Sequence, residues 1–466
     1  MTSPKTPSSN NDADIENALY VKRKKIYPRE IHGVFAQLRI LGIISLLGFF
    51  YGTPWLQWSG RQAVLFDLPN RQFHILGLTL WPQDFFYLAV LLVIAALSLF
   101  FFTALAGRLW CGYACPQTVW TEMFLWIERK IEGSRPSQMK LDQRPWSEKW
   151  QKKTLKHAAW LTLSLFTGLT FVGFFTPIQE LSRNILNFSL GPWETFWVLF
   201  YSFATYGNAG WLREQVCIYM CPYARFQSAM IDSDTFIIAY DEKRGEPKGS
   251  RRKSEDPRNA GLGDCIDCSI CVQVCPTGID IREGLQYECI GCAACIDACD
   301  GVMRQMDYPT GLIRYTTQHA LEGKPIHFLR PRTLIYAAIL MLTTLLLVIS
   351  ISNRIPLEVD IIRDRNSLYR ETDEGIIENV YVLKIINMDE KDHTYTLSVS
   401  GLEHLSIGDD LHSVFVKAGS ITSTPLRLKI DPEFLKRSHA KIEFTLTAKD
   451  DTDITLSQPS QFLGPL

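Results

Sequence analysis

Five nearly continuous apolar stretches interrupt an otherwise polar chain. A membrane-spanning helix needs about 20 predominantly apolar residues, so each stretch predicts one transmembrane helix. The fourth stretch is the least apolar, because Glu194 and Asn208 lie near its ends, where polar side chains can face the bundle or the membrane surface. The five predicted spans are residues 36–57, 85–107, 158–178, 191–209 and 332–352.

Lysines and arginines between the spans predict the orientation, since short loops rich in these residues stay in the cytoplasm. Residues 1–35 hold six and residues 108–157 hold ten, whereas the two loops on the opposite side hold two and one. The N-terminus, residues 108–157 and residues 210–331 are therefore predicted to be cytoplasmic. The chain is expected to cross the bacterial inner (cytoplasmic) membrane several times and to place residues 353–466 in the periplasm.

The polar segment after the last span shows the alternating pattern of β-strands. Short runs of β-branched and aromatic residues are separated by polar turns, which predicts an immunoglobulin-like β-sandwich of about seven strands. The segment also holds four of the nine histidines (His393, His404, His412 and His439), which we interpret as surface or core residues. The runs that support the prediction are residues 380–386, 394–400, 412–418, 426–430 and 441–448.

Eight of the 12 cysteines lie between residues 265 and 299 in two similar runs. In each run three cysteines are two residues apart and a fourth follows after three more. This spacing is typical of a bacterial-type two-cluster ferredoxin, in which the fourth cysteine of one run reaches the cluster of the other. A zinc site is the alternative, but zinc needs only four ligands. The predicted ligand sets for two [4Fe-4S] clusters are Cys265, Cys268, Cys271 and Cys299, and Cys289, Cys292, Cys295 and Cys275.

Two features near these cysteines modify the prediction. Gly278 and Gly291 are small residues suited to a backbone that passes close to a cluster. Asp300 stands where a proline usually follows the last cysteine, so we expect the turn after Cys299 to differ from that of a ferredoxin.

A second cysteine motif, Cys-x3-Cys-Pro, occurs twice, each time after an even-numbered span. CGYACP begins at Cys111 and CIYMCP begins at Cys217. Cysteines four residues apart on a helix share one face, and the proline predicts that each pair lies in the last helical turn. Such a pair could clasp Cu(I), which thiolates favour, whereas a disulfide fits this geometry poorly. Packing of free cysteines as small apolar residues is the alternative.

The repetition of this motif suggests that the first two spans are duplicated as the third and fourth. The two motifs would then meet across the bundle as one four-thiolate site, although two separate sites remain open. The pattern as a whole predicts a multi-domain membrane protein made of five parts. These are a disordered basic cytoplasmic tail (1–35), a four-helix transmembrane region carrying both motifs (36–230), a cytoplasmic ferredoxin-type domain (231–331), a fifth transmembrane helix (332–352) and a periplasmic immunoglobulin-like β-sandwich (353–466).

Several other kinds of chemistry find no support in the sequence. There is no Cys-x2-Cys-His for c-type haem and no glycine-rich nucleotide fingerprint after a predicted strand. The net charge of −1 is near neutral, and no nucleic-acid partner is expected. His32, His157 and His327 lie near predicted cytoplasmic ends of spans, where they could ligate a metal or move protons, but structural interfacial histidines are the simpler interpretation.

The stretch GRLWCGYACPQTVWTEMFLWIE, the second Cys-Pro motif, the doubled cluster segment and the C-terminal β-domain together resemble the CcoG family, also called FixG or RdxA. The similarity covers nearly the whole chain after the N-terminal tail. It implies an accessory protein of cytochrome cbb3-type oxidase that reduces Cu(II) to Cu(I) at the membrane. On this resemblance the eight clustered cysteines would supply electrons, and copper would bind at the catalytic residues Cys111, Cys115, Cys217 and Cys221.

The resemblance also implies partners: copper chaperones, oxidase assembly factors, an unidentified electron donor and the lipid bilayer, with a homodimer left open. Both cysteine systems are cytoplasmic in the predicted topology, whereas the oxidase copper site faces outward, so reduced copper would have to be exported. One competing function is a quinol dehydrogenase or electron relay to a periplasmic acceptor docked on the β-domain. Another is a non-enzymatic scaffold for oxidase assembly.

Overall fold

The structure is a computed structural model that describes residues 25–253, 255, 261–364, 367–408, 412–435 and 437–465. The chain divides into two compact units. The first contains the described residues up to Leu47 together with Leu99–Thr167 and Leu199–Thr333. The second contains Gly48–Ser98, Gly168–Val198 and Leu334–Leu466. All four cysteines of the Cys-x3-Cys-Pro motifs and all eight clustered cysteines belong to the first unit.

In the described part of the chain, three helical stretches are long and apolar enough to cross a membrane: Val34–Trp55, Pro82–Ala106 and Pro331–Ser352. They coincide with the first, second and fifth predicted spans. The third predicted span lies in helix Trp146–Val172, whose first three turns are polar, and the fourth lies in helix Pro192–Thr205. The five-span count therefore stays a prediction.

The α-helices are distributed along most of the chain before the C-terminal domain. Their bounds are Val34–Gly52, Phe85–Ala106, Leu109–Tyr113, Pro116–Glu132, Arg135–Gln143, Trp146–Val172, Ile178–Leu186, Pro192–Thr205, Pro222–Met230, Glu242–Gly245, Ile270–Gln273, Ala294–Met306, Gln318–Glu322 and Pro331–Ser352. Two π-helical segments lie between the helices that begin at Pro192 and Pro222. These segments are Tyr206–Leu212 and Val216–Met220.

The C-terminal domain is a sandwich of two antiparallel sheets, as the alternating pattern predicts. One sheet orders its strands Ser406–Gly408, Ile421–Ile430, Ile377–Asn387 and Leu357–Arg363, with Arg370–Glu371 paired to the third. The other orders its strands Ser413–Val416, His393–Ser400, His439–Ala448 and Thr455–Leu463. Tyr381 and Phe444 are fully buried between the sheets, with their rings 5.3 Å apart. The two sheets therefore share one apolar core, as in an immunoglobulin fold.

Small antiparallel sheets also occur outside the C-terminal domain. Residues 57–80, which the sequence assigned only to an external loop, form a hairpin and a three-stranded meander. Their strands are Gln57–Trp58, Arg61–Gln62, Val64–Asp67, Gln72–Ile75 and Leu78–Leu80. In the cysteine-rich segment, Ile237–Tyr240 pairs with Ile313–Thr316 and brings both ends of the segment together.

The predicted N-terminal tail, residues 1–35, lies largely outside the described residues. Its last part is described and is held by hydrogen bonds. The ammonium of Lys25 and the hydroxyl of Tyr27 both donate to Asp142, and the backbone N–H of Arg29 donates to the carbonyl of Gln273. Residues 25–33 therefore connect the first helix to the cysteine-rich segment.

Candidate metal centre

Two small cavities in the first unit are each walled by cysteines. The first is lined by Cys265, Cys268, Cys271 and Cys299. The second is lined by Cys275, Cys289, Cys292 and Cys295, with Cys271 also on its wall. The structure thus brings together the two sets that the spacing predicts, including the exchange of the fourth cysteine between the runs. All twelve cysteines of the chain are described, and none forms a disulfide.

The pKa values of these cysteines are raised by burial and by other thiols of the same predicted set. Burial raises the pKa of Cys299 to about 12, and Cys271 and Cys265 add to this effect. Burial likewise raises the pKa of Cys292 to about 12, with a contribution from Cys275. Buried thiols of this kind need a metal to exist as thiolates at neutral pH. The two four-sulfur sets, in which Cys268 is the exposed member, therefore fit two [4Fe-4S] clusters, which store and pass single electrons when bound.

The segment after the last cysteine is helical at Asp300, the residue that stands where a proline was expected. Helix Ala294–Met306 runs without a break through Cys299 and Asp300, where a proline would disfavour helix at the preceding residue. The Asp300 carboxylate accepts a hydrogen bond of 2.8 Å from the backbone N–H of Gly311. Asp300 therefore stabilises the return of the chain towards strand Ile313–Thr316.

The two Cys-x3-Cys-Pro motifs share one local geometry, and it differs from the prediction. Cys115 and Cys221 do not lie in the last turn of the preceding helix. Each is extended (ψ 127° and 111°) and is the N-cap of a new helix that begins with the following proline. Proline is favoured at the first helical position because its missing N–H would be unpaired there. The second cysteine of each motif is thus the residue at the N-terminus of a helix. Burial raises the pKa of the Cys115 thiol, and hydrogen bonds from the backbone N–H groups of Thr118 and Gln117 oppose this effect.

The four motif cysteines lie close enough to influence one another. Burial raises the pKa of Cys217 to about 12, and Cys115, Cys111 and Cys221 raise it further. Burial also raises the pKa of Cys111 to about 11, with Cys115 as the next contribution. The two motifs therefore lie in one part of the first unit, but no three of their four sulfurs lie within 4.8 Å of one another, so the choice between one shared site and two separate sites stays open. We keep the assignment of these sulfurs as copper ligands as a prediction.

Gln227 is a polar neighbour of this thiol group that sequence reasoning missed. It is fully buried, and its Oε1 accepts a hydrogen bond of 3.3 Å from the Cys111 thiol. Its Nε2 is buried without a hydrogen-bond partner. Leaving a buried N–H group without a hydrogen-bond partner costs free energy. If the Gln227 amide were turned by 180°, its Nε2 could donate a hydrogen bond to a metal-bound sulfur of Cys111. The orphaned amide therefore fits a site built around ionised sulfur.

A buried ion pair connects the helix after the first motif to the segment before the second motif. Arg213 donates to Glu128 across 2.6 Å, and both side chains are almost wholly buried. The pKa of Glu128 is lowered to about 2, because the attraction of Arg213 and Lys156 outweighs the opposing effect of burial. Arg213 has a strained backbone (φ 47°) between the two π-helical segments, a form of helix often found at functional sites.

A second connection runs in parallel to this ion pair. The amide of Gln117, one residue after Pro116, donates to the carbonyls of Asn208 (2.9 Å) and Arg213 (3.1 Å). The first motif and the segment before the second are thus fixed to each other by the ion pair and by these two hydrogen bonds.

The first motif also touches the cluster-binding segment directly. A Cβ atom on Gly112 would lie 2.7 Å from the Gly291 carbonyl oxygen and 2.9 Å from the Cα of Cys292. Gly291 itself has a left-handed backbone (φ 68°) and lies against Arg108. Arg108 donates to the carbonyl of Cys289 across 2.9 Å. The close approach that we expected at Gly291 is therefore one between the motif and the cluster loop.

A cavity of about 460 Å³ opens beside this contact. Cys217 of the second motif and Cys292 of the cluster segment both lie on its wall. The remaining wall is largely apolar, with Ile40, Ile44 and Trp126 among its residues. A small molecule or ion in this cavity could reach both cysteine systems.

Comparison with known proteins places these features in a family. The model of a 4Fe-4S dicluster domain matches residues 212–318, that of a 4Fe-4S binding domain matches residues 88–133, and that of the IG-like fold at the C-terminus of FixG matches residues 347–465. The nitrogen fixation protein FixG of Rhizobium meliloti is 35% identical over 94% of this chain and 92% of that protein. The chain belongs to the FixG family. Protein RdxB of Cereibacter sphaeroides, also similar, is 40% identical over 89% of this chain and 88% of that protein.

Solved structures match only a part of the FixG-family chain. A crystal structure of a FixG-related protein from Vibrio parahaemolyticus is 33% identical to 24% of this chain, covers 98% of its own length and has a TM-score of 0.22. The family assignment rests on the sequences. It establishes an iron–sulfur protein with ferredoxin-type 4Fe-4S domains, an immunoglobulin-like C-terminal domain and a redox function based on electron transfer.

Proposed function

We propose that this FixG-family protein is a membrane-bound cupric reductase that supplies Cu(I) for assembly of a cytochrome cbb3-type oxidase. The observation that carries the proposal is the contact of Gly112 with Gly291 and Cys292, because it joins the first Cys-x3-Cys-Pro motif to a cluster-binding loop without an intervening side chain. One electron delivered across this contact converts Cu(II) into Cu(I), and no bond needs to form or break in the protein.

The chemistry of the four motif cysteines supports copper as the substrate. Thiolates are soft ligands that stabilise Cu(I) relative to Cu(II), so a cluster of sulfurs raises the tendency of bound copper to accept an electron. Cys115 and Cys221 lie at helix N-termini, and the backbone N–H groups of Thr118 and Gln117 partly offset the burial that raises the pKa of Cys115. Cys111, Cys115, Cys217 and Cys221 are accordingly assigned to copper, and the eight clustered cysteines to two [4Fe-4S] clusters.

Anaerobic purification followed by elemental analysis and a Cu(II) reduction assay tests the proposal. The wild type and the variant with all four motif cysteines changed to serine are expected to hold about eight irons each. Only the wild type should retain copper and form Cu(I) from a chemically reduced protein. Equal rates of Cu(I) formation in both proteins would contradict the proposal.

Two single changes in the cluster segment provide the matched test of electron supply. Cys299→Ser and Cys275→Ser each remove one ligand from a different predicted set. Each variant should lose about four irons and should keep the four motif cysteines that bind copper. Loss of copper binding with unchanged iron would show that the two cysteine systems had been assigned the wrong way round.

The cavity next to Cys292 favours a second candidate, a quinol dehydrogenase or electron relay. Its apolar wall and its volume of about 460 Å³ suit a small aromatic molecule beside a cluster ligand. Quinol oxidation in a protein that binds no copper would support this function. If the protein shows neither activity, the remaining function is a scaffold for oxidase assembly, in which the β-domain binds other subunits.

The same proposal includes partners and location. Copper chaperones and oxidase assembly factors would receive Cu(I), and an electron donor still to be identified would reduce the clusters. The predicted topology, with the cysteine systems in the cytoplasm and the β-sandwich in the periplasm, can be tested by tagging each segment with reporters active on one side only.

A further inference from the structure

A group of metal-binding side chains lies outside both cysteine systems. Asp234, His319 and His327 place one ligand atom each within 4.8 Å of one another, and they form the one such group of His, Cys, Asp or Glu within the described residues. His319 Nδ1 lies 2.9 Å from Asp234 Oδ1, and His327 Nδ1 lies 3.7 Å from Asp234 Oδ2. Ligands about 2.0–2.2 Å from one ion are separated by distances of this order.

The backbone holds this group in place before any metal arrives. His319 is in helix Gln318–Glu322, and its backbone N–H donates to the Ser233 carbonyl. The backbone N–H of His327 donates to Asp234 Oδ1 across 3.2 Å. Next to His327, the ring of Phe328 stacks on Phe236 with centroids 5.6 Å apart. The three ligands therefore come from three segments that are fixed relative to one another.

The group is open to solvent on one side. The side chains of Asp234, His319 and His327 are 12%, 28% and 62% exposed. An ion can therefore reach the imidazole of His327 first and then bind the less exposed carboxylate. Two imidazoles and one carboxylate are donors that suit Cu(II), whereas the thiols of the Cys-x3-Cys-Pro motifs suit Cu(I).

A cavity lies between the sequence neighbours of this group and the cluster-binding segment, although none of the three ligands lines it. Ser233 and Gln318, the neighbours of Asp234 and His319 in sequence, line a cavity of about 400 Å³. The wall of the same cavity includes the cluster cysteine Cys289, together with Gly291 and Arg108. The group is therefore adjacent in sequence to a space that borders both the cluster loop and the start of the first motif.

We propose that Asp234, His319 and His327 form a capture site for Cu(II). The site as a metal-binding group is independent of the reductase activity, whereas its role as the entry point for substrate rests on the proposed function. Its donors would hold copper in the oxidised state until transfer to the thiols makes reduction favourable.

Copper-nitrogen coupling in electron paramagnetic resonance tests the binding. The full-length protein with Cys111, Cys115, Cys217 and Cys221 changed to serine is given one equivalent of Cu(II), so that thiols of the motifs cannot compete. We expect a signal with coupling to two imidazole nitrogens, and its loss in His319→Gln/His327→Gln. The matched control, His412→Gln/His439→Gln, removes two exposed histidines of the β-domain and should leave the signal unchanged.

Asp234→Asn tests the site in a variant that should still fold, because the amide oxygen can accept the hydrogen bond from the backbone N–H of His327. This variant should keep its iron content and bind Cu(II) at least about tenfold more weakly, since loss of even a supporting group costs 10–100-fold in metal affinity. Unchanged nitrogen coupling or affinity in these variants would overturn the capture site.

Steady-state kinetics separates this inference from the proposed function. With the motif cysteines intact, the double histidine variant should raise the KM for Cu(II) and leave kcat unchanged. If the double histidine variant reduces Cu(II) with the wild-type KM, the capture role is wrong and the proposed reductase activity still holds. Cu(II) bound through the histidines in a protein that makes no Cu(I) would preserve the site and refute the reductase.

Discussion

Gly112 lies so close to Gly291 that a single added methyl group would stand 2.7 Å from the Gly291 carbonyl oxygen. Such a methyl group fits only if the cluster loop or the motif backbone shifts. Gly112→Ala is therefore expected to destabilise the protein by about 1–3 kcal/mol, as overpacking does, and to slow Cu(II) reduction. Reduction rate and thermal unfolding of the purified protein measure both effects.

Gly301→Ala is the matched control for this substitution. Gly301 lies in helix Ala294–Met306, and an added Cβ would meet no atom within 4 Å. Alanine in an open helical position should be neutral or stabilising by up to about 1 kcal/mol. Equal loss of activity in both variants would argue against a specific role of the Gly112 contact.

Gln227→Leu should weaken the retention of copper with little loss of stability. The substitution removes the polar atoms beside Cys111 and also removes the unpaired Nε2. Because groups that support a metal ligand contribute 10–100-fold to affinity, we expect a loss of about tenfold in Cu(I) affinity. Competition with a Cu(I) chelator measures it, and unchanged affinity would remove Gln227 from the site. Gln151→Leu, on an exposed helix position, is the control.

Arg213→Met should destabilise the arrangement of the two motifs by about 1.5–3 kcal/mol, because the buried Glu128 carboxylate loses its hydrogen bond to its closest cation while Lys156 and Lys25 remain 3.4 Å away. Adding Glu128→Gln should restore part of this loss, since no unpaired charge then remains. Thermal unfolding of the three proteins gives the comparison. Arg144→Met breaks the exposed pair Arg144–Glu148 and should cost about 1 kcal/mol or less.

The acid stability of the first unit should follow the same carboxylate. The pKa of Glu128 is about 2 in the folded protein and about 4.3 when unfolded. A lowered pKa contributes stability that is present above pH 4.3 and is lost as the pH falls towards 2. Glu128→Gln should flatten this part of the pH profile, and an unchanged slope would show that other groups control it.

The C-terminal domain should respond to pH in the opposite direction. His393 is almost fully buried between Asp389 (2.8 Å) and Asp450 (2.6 Å). Burial lowers its pKa, but the hydrogen bonds to both carboxylates outweigh burial and leave the pKa raised. A raised pKa contributes stability that is complete below about pH 6.5 and is lost as the pH rises through the folded value.

Hydrogen exchange of strand His393–Ser400, relative to strand Thr455–Leu463, measures this effect between pH 5.5 and 8.5. Protection of the first strand should decline with rising pH in the wild type and should not change in His393→Asn. The exposed His439→Asn is the control and should behave as the wild type does.

Local patterns carried most of what the sequence predicted. Alternation along residues 380–386 and 441–448 predicted strands that the structure contains, because side-chain direction in a strand depends only on neighbouring residues. The spacing of Cys265, Cys268 and Cys271 likewise follows from a tight loop around one cavity. These features need no knowledge of distant parts of the chain.

Contacts between distant parts of the chain could not be predicted in this way. Nothing near Gly112 or Gln227 in the sequence indicates that one touches the cluster loop and the other Cys111. The prolines after Cys115 and Cys221 were interpreted as helix ends, although the same residues begin the next helix. Proline disfavours helix before it and favours helix after it, and only the second effect places the sulfurs at helix N-termini.

Asp297 connects the start of the first helix to the cluster-binding segment. Its carboxylate accepts hydrogen bonds from the backbone N–H groups of Phe35 (3.2 Å) and Ala36 (2.7 Å) at the start of helix Val34–Gly52. It also lies between two cluster cysteines of its own helix, Cys295 and Cys299. The order of the backbone at the start of helix Val34–Gly52 should therefore depend on how the cluster-binding segment folds.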